Sequence, residues 1–269
     1  MFGMGPTGVK RNADCEWDDF DPEAYYNHNY RDLREDDRYI IEQVRDHFSA
    51  VFGNGVPDHG LRGIDVGTGS NLYPALTMLP FCAELTLYER SMNNIRWLEK
   101  QKSNDCPSWA DSWHKFWDVL VERPAYWQVA NPAIQLAKLM DPVPGSVYEL
   151  APDTPYDVGT MFFVAESITA EQAEFRSGMD HFLDALAPGA PFAIAFMEHS
   201  SGYEVGDHQF PATDVDRAKV SDCLRDRVRD VRIKHIGRGT NPVRNGYSGM
   251  LIALGRVNGG LDEGTRTPA

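Results

Sequence analysis

Cysteine is scarce in this chain of 269 residues: there are four, Cys15, Cys82, Cys106 and Cys223. No two form a C-x-x-C pair, which removes the usual zinc and redox signatures and predicts free thiols in a reducing compartment. No metal site is expected. Long apolar runs are missing as well. The longest are about eight residues, as in Val158 to Ala165, whereas a bilayer span needs about 20. The N-terminus has no charged stretch followed by an apolar one, so no secretory signal is expected. Positive charge is in deficit, with 26 Lys and Arg against 40 Asp and Glu and a formal net charge of −14. Such a chain repels phosphate backbones, which argues against a nucleic-acid binder, while a cationic small ligand is tolerated. The expectation is a soluble cytoplasmic protein with small-molecule partners, without membrane or nucleic acid. The nucleotide-loop pattern G-x-x-x-x-G-K, the metalloprotease pattern H-E-x-x-H and the hydrolase elbow G-x-S-x-G are all absent.

What remains is an apolar content of 42%, enough for a real core. Residues 1–14 and 257–269 are Gly-rich and polar and are expected to be disordered tails around a single domain, 15–256. Apolar residues at helical spacing predict a helix from Asp36 to Phe52, closing an N-terminal helical cap over 15–53. Strands are predicted at Leu61 to Val66, Glu84 to Tyr88, Ser146 to Leu150, Asp157 to Val164, Pro191 to Met197, Val231 to Ile236 and Met250 to Gly255. Helices fall between them at Tyr73 to Leu79, Asn93 to Lys100, Ala170 to Leu186 and Asp214 to Arg229. This alternation predicts an α/β fold: a seven-stranded, mostly parallel sheet with helices on both faces. The last two strands have no helix between them, so one edge should be antiparallel. The segment 102–141 interrupts the pattern. Trp109, Trp113, Phe116, Trp117 and Leu120 share one helical face there, which fits core packing or a lid over a substrate cavity.

The first predicted strand delivers Asp65-Val66-Gly67-Thr68-Gly69, a D-x-G-x-G turn that opens a helix, and Glu89 follows twenty positions after Gly69 at the tip of the next strand. Glycines let a ligand approach the backbone, and a carboxylate at that tip suits two ribose hydroxyls. A dinucleotide usually needs a third glycine, and Leu72 stands in that place. S-adenosylmethionine (SAM), a sulfonium cation without phosphate, fits better. A structural turn without ligand is the third option.

With these residues in view, the sequence resembles the class I SAM-dependent methyltransferases. Within them it is similar to the nicotinamide, phenylethanolamine and thioether amine N-methyltransferase family. Four stretches carry the likeness: Phe20 to Tyr30, Asp65 to Tyr73, Glu89 to Asn94, and Ser200 to Phe210. The resemblance implies a Rossmann-like methyltransferase fold with SAM as cofactor. It implies that Tyr30 bonds the methionine carboxylate and that Tyr25 faces the transfer site. Asp65, Gly67, Thr68, Gly69 and Tyr73 would surround the methionine moiety, with Glu89 and Asn94 at the ribose. Ser146 and Val147 would meet the adenine, although Ser146 stands where the family usually has Asp. Phe162 joins the cofactor set, while Phe163, His199 and Tyr203 would line the acceptor pocket. The family's acidic group after the fifth strand has no gap-free equivalent. Phe196 falls there, with Glu198 two residues on.

Glu166 and Glu198 end predicted strands four and five, where open α/β sheets bind ligands. Each could orient or deprotonate an amine, or serve only as a rim carboxylate or helix cap. His199 and His208 could move a proton or be structural, and His28 is expected at the surface. Three functions follow. The first is methyl transfer to a small-molecule acceptor, an amine nitrogen, releasing S-adenosylhomocysteine. The second is cyclisation of SAM to an azetidine or cyclopropane amino acid with loss of methylthioadenosine. The third is SAM binding without turnover.

Overall fold

The chain threads its sheet from the middle outward. The computed structural model describes residues 9–53, 60–103, 105–240, 242–244 and 246–259. Two helices come first, α1 (Pro22–Asn29) and α2 (Glu35–Phe52). The Asp21 carboxylate caps α1 by accepting from the backbone N–H groups of Glu23 and Ala24, donors that would otherwise lack partners. Ile40, Ile41, Val44 and Phe48 recur on one face of α2 and are fully buried, which places that face against the sheet. Next come β1 (Leu61–Val66), α3 (Tyr73–Met78), β2 (Cys82–Glu89) and α4 (Met92–Ser103). The remaining order is α5 (His114–Leu120), α6 (Pro132–Leu139), β3 (Met140–Pro144), β4 (Val158–Phe162), α7 (Gln172–Asp184), β5 (Pro191–Glu198), β6 (Tyr203–Val205), β7 (His208–Phe210), α8 (Arg217–Leu224), β8 (Val228–Gly237) and β9 (Gly249–Val257).

Seven strands form one sheet in the order β3-β2-β1-β4-β5-β9-β8, and β6 pairs with β7 in a separate ribbon. The pairings from β3 to β5 are parallel, while β5–β9 and β9–β8 are antiparallel. Side chains alternate across β5: Phe192, Ile194 and Phe196 pack with Phe175, Met179 and Phe182 of α7. Ala193, Ala195 and Met197 face the other core with Ile40, Val44 and Phe48 of α2. This period of two is what a strand covered on both sides requires. Among the described residues no helix is long and apolar enough to cross a membrane.

Several expected elements shift. The third strand is Met140–Pro144, not Ser146 to Leu150, where Val147–Glu149 forms a 3-10 turn. β3 contains Pro142 and Pro144, and it pairs only with β2 at the sheet edge, where proline is tolerated. The last helix starts and ends inside its expected range: Asp216 caps Arg217–Leu224 by accepting from the Lys219 N–H at 2.8 Å. The β6–β7 ribbon was not expected. Its two-residue turn, Gly206-Asp207, is the signal for it, with Gly206 at φ +58°.

The segment 102–141 holds a π-helical turn (Trp109–Trp113), α5, a 3-10 turn (Pro124–Gln128) and α6. Its Trp113, Phe116 and Leu120 are buried in the α2-side core, and Phe116 stacks on Tyr73 at 5.3 Å. The segment expected as an N-terminal tail lies outside the described residues up to position 8. From residue 9 it runs along the protein: Asn12–Asp14 form a 3-10 turn, and the Asn12 N–H donates to Glu174 at 2.9 Å. Of the expected C-terminal tail, Val257 ends β9 and Asn258 donates to the Asp226 carbonyl. Positions 260–269 lie outside the described residues.

Candidate functional site

Sheet order reverses between β1 and β4, and a cleft opens at the C-terminal ends of β1, β2 and β4, where such sheets bind ligands. Its free space, open mouth included, is about 750 Å³. The chain leaves β1 through Gly67 at φ +66°, and a Cβ there would lie 2.5 Å from Val164. Only glycine takes this turn without strain or collision. Thr68 secures the turn by donating its hydroxyl to the Asp65 carbonyl at 3.1 Å.

Glu89 ends β2 and is 6% exposed. Its Oε2 accepts from the Gly69 N–H at 2.8 Å, while its Oε1 accepts from the Ser91 N–H at 2.7 Å and from Asn94 Nδ2 at 3.2 Å. Burial raises its pKa and these donors oppose the rise. Asn94 also lines the cleft, and its buried Oδ1 has no partner. Gly145, Ser146 and Val147 form the floor after β3. The Ser146 hydroxyl is turned to its own loop, accepting from the Tyr148 N–H at 3.4 Å.

The opposite wall is aromatic. Tyr25 and Tyr30 come from α1 and its C-cap, Phe162 and Phe163 from the end of β4, Tyr203 from β6, and Trp17 and Phe20 from the N-terminal segment. Tyr25 meets Tyr30 edge-on at 5.8 Å between centroids and Tyr203 at 6.5 Å. Phe163 adopts φ +59°. A bulky residue there is strained, a condition that concentrates at ligand sites.

No protein-family model and no curated protein matches the sequence. Solved structures do match. The N-methyltransferase NodS from Bradyrhizobium japonicum WM9, crystallised with S-adenosyl-L-homocysteine, aligns with a TM-score of 0.51 at 11% identity, over 83% of this chain and 88% of that one. A SAM-dependent methyltransferase from Clostridium acetobutylicum ATCC 824 aligns at 0.50 with 9% identity, over 84% of this chain and 94% of that one. The chain has the class I methyltransferase fold. Its antiparallel edge and its cleft at the β1–β4 switch point belong to that architecture.

Within this fold, not every expected site residue reaches the cleft. Asp65 lies beneath the glycine turn, 1% exposed, accepting from Thr160 Oγ1 at 2.7 Å. Its Oδ2 has no partner, and burial pushes its pKa up to about 7. Tyr73 is fully buried behind Tyr30, packed edge-on to it at 6.0 Å. Glu166, expected as a catalytic group, is fully buried under β5. Its Oε1 accepts from the Met197 N–H and Ser167 Oγ, each at 3.0 Å, and burial raises its pKa to about 7. The chain turns inward after β4, so this carboxyl ties β4 to β5 and is not on the cleft wall. Glu198 lies apart as well. It bridges the antiparallel edge, accepting from Ser248 Oγ at 2.8 Å, with His235 Nε2 at 3.0 Å. His199 is exposed and pairs with Asp214 at 2.7 Å, which raises its pKa. His208 sits 3.9 Å from Asp19, and His28 Nε2 lies 2.7 Å from the Val243 carbonyl.

The sequence reading missed Asn12, Asn71, Tyr88 and Arg90 on the cleft wall, and Arg244 beside Tyr203. Arg90 follows Glu89 directly, so the strand-tip position was its signal. Arg244 sits in the loop before β9, where no periodic pattern marks it.

Proposed function

We propose that the protein binds SAM in this cleft and transfers its methyl group to a small-molecule acceptor, an amine nitrogen. The observation that carries this reading is Glu89: a buried carboxylate at the tip of β2, held by three N–H donors beside the Gly67–Gly69 turn. Oε1 already accepts twice, while Oε2 accepts once and keeps a site for a ribose hydroxyl. The unpartnered Oδ1 of Asn94 offers another acceptor at the same place. Gly67, Thr68 and Gly69 would hold the methionine moiety with Tyr30, and Gly145, Ser146 and Val147 would hold the adenine. The aromatic wall suits a cation, because ring faces attract positive charge. The fold shared with NodS, and the product bound in that structure, support the same reading.

When bound, SAM supplies an electrophilic methyl carbon on a good leaving group. The protein's own part is alignment and water exclusion. Tyr25, Phe163 and Tyr203 form the wall that an acceptor must meet, and their rings displace water from the transfer site. Among the described residues Glu89 is the one carboxylate lining the cleft, and it is engaged by three N–H donors. A neutral amine fits this arrangement because it attacks without prior deprotonation. The preference for nitrogen rests on the sequence resemblance to the amine N-methyltransferases.

Incubating the purified protein with SAM, with and without an amine panel, tests the proposal. S-adenosylhomocysteine should appear by mass spectrometry only when an amine is present. Methylthioadenosine from SAM alone would replace transfer by cyclisation. Tight binding of S-adenosylhomocysteine with neither product would leave a binding module.

A further inference from the structure

Two further spaces adjoin the cleft at its aromatic wall. An outer groove shares Tyr25 and Tyr203 with it and is bounded by Asn29, Ser201, Gln209 and Arg244. An inner cavity shares Tyr25, Tyr30 and Phe163 with the cleft and is also bounded by Arg244. Arg244 therefore stands where both spaces meet the aromatic wall. Its guanidinium carbon lies 4.7 Å from the centre of the Tyr203 ring, and one Nη donates to Ser200 Oγ at 2.9 Å. The ring of Tyr203 is itself stacked on Phe210 at 5.4 Å. The guanidinium is thus held in place, yet its buried Nε has no hydrogen-bond partner.

Among the described residues Arg244 forms no ion pair, in a chain where acids outnumber bases 40 to 26. The carboxylate on the groove wall, Glu204, accepts from Gln209 Nε2 at 2.8 Å instead. A buried Nε–H with an unmade hydrogen bond is costly unless an acceptor arrives. Its planar fork of donors matches a carboxylate in particular.

Building on the methyl-transfer reading, we propose that Arg244 anchors a carboxylate of the acceptor, whose remainder runs along the Tyr25 and Tyr203 rings into the cleft. The acceptor class is then a small amine bearing a carboxylate. The pairing forms no covalent bond and needs no further reactant.

Matched probes test this on the full chain by calorimetry, with and without saturating S-adenosylhomocysteine. The pairs are 3-aminobenzoate with 3-aminobenzamide, and 4-aminobutyrate with 4-aminobutanamide. At least one acid should bind about tenfold more tightly than its amide. Arg244→Gln should bring that ratio to within twofold, and Arg244→Lys, which keeps the charge but not the planar fork, should retain only part of it. Equal affinities in both pairs, no binding by either kind, or a preference that survives Arg244→Gln would overturn the proposal. Failure of S-adenosylhomocysteine itself to bind would instead strike the cofactor reading, because the probe ratio is also measured without it.

Discussion

The two walls of the cleft are built by opposite means. The wall at β1 and β2 is polar and backbone-made: Glu89 is fixed by two main-chain N–H groups and Asn94, and the glycine turn is dictated by its fit against Val164. The opposite wall is made of rings from α1, β4 and β6, with Arg244 laid over one of them. Hydrogen bonds of a main-chain cradle demand one ligand geometry, whereas ring faces accept many shapes. The contrast fits the proposed reading, in which the constant cofactor is held mainly by the first wall and the variable acceptor meets the second.

The largest effect expected from breaking this contrast is at Glu89. Glu89→Gln removes the charge and leaves one of its sites with a donor facing donors. Affinity for S-adenosylhomocysteine should fall by about 1.5–3 kcal/mol, the range for hydrogen bonds to a charged group. Calorimetry measures it, with the melting temperature as a control for folding. Tyr203→Phe keeps the ring and should change the same affinity less than about twofold, since a neutral hydroxyl away from the cradle contributes little. Equal losses in the two variants would erase the distinction between the walls.

A smaller effect tests what the walls share. Each rests on a buried carboxylic acid: Asp65 beneath the glycine turn and Glu166 beneath the β4–β5 end. Burial raises Asp65 from 3.8 to about 7 and Glu166 from 4.5 to about 7. For acids with raised native pKa, the protonated form is favoured in the fold. Their stabilising share is complete below the unfolded values and is lost as pH rises through about 7. The melting temperature should therefore decline between pH 5 and pH 8.5. Asp65→Asn and Glu166→Gln mimic the neutral forms, and each should flatten part of that decline. A decline as steep in both variants as in the unaltered protein would mean that neither group titrates as its burial requires.

The polar wall was legible in the sequence and much of the other was not. The glycine turn and Glu89 lie within one β-α-β unit, so spacing along the chain fixes their distance in space. Tyr25, Tyr30 and Tyr203 became visible through the resemblance, since nothing in local periodicity joins α1 to β6. Glu198 does end β5, whereas Glu166 lies in the turn beyond β4, and a place near a strand end does not say which way a side chain turns. Glu166 turns under β5 and Glu198 out to β8 and β9. The third strand was misplaced because β3 carries Pro142 and Pro144, residues that fit a strand only where one edge is free. Arg244 depends wholly on tertiary approach, where a loop meets the face of Tyr203.

The smallest effect sharpens the boundary of the aromatic wall. Glu198 ends β5 only one residue beyond Met197, which lines the inner cavity, so a catalytic role would be natural on position alone. Its carboxylate, however, is committed to Ser248 and His235 across the antiparallel edge. His235 is half exposed, and a hydrogen bond open to solvent on one side contributes about 0.5–1.5 kcal/mol. Glu198→Gln retains an acceptor oxygen for Ser248. It should lower the melting temperature by no more than a few degrees, while turnover of any amine the protein methylates stays within about twofold. A loss of turnover beyond about tenfold with the melting temperature preserved would move Glu198 into the reaction. The aromatic wall would then need a carboxylate after all, and its contrast with the polar wall would be one of exposure instead of chemistry.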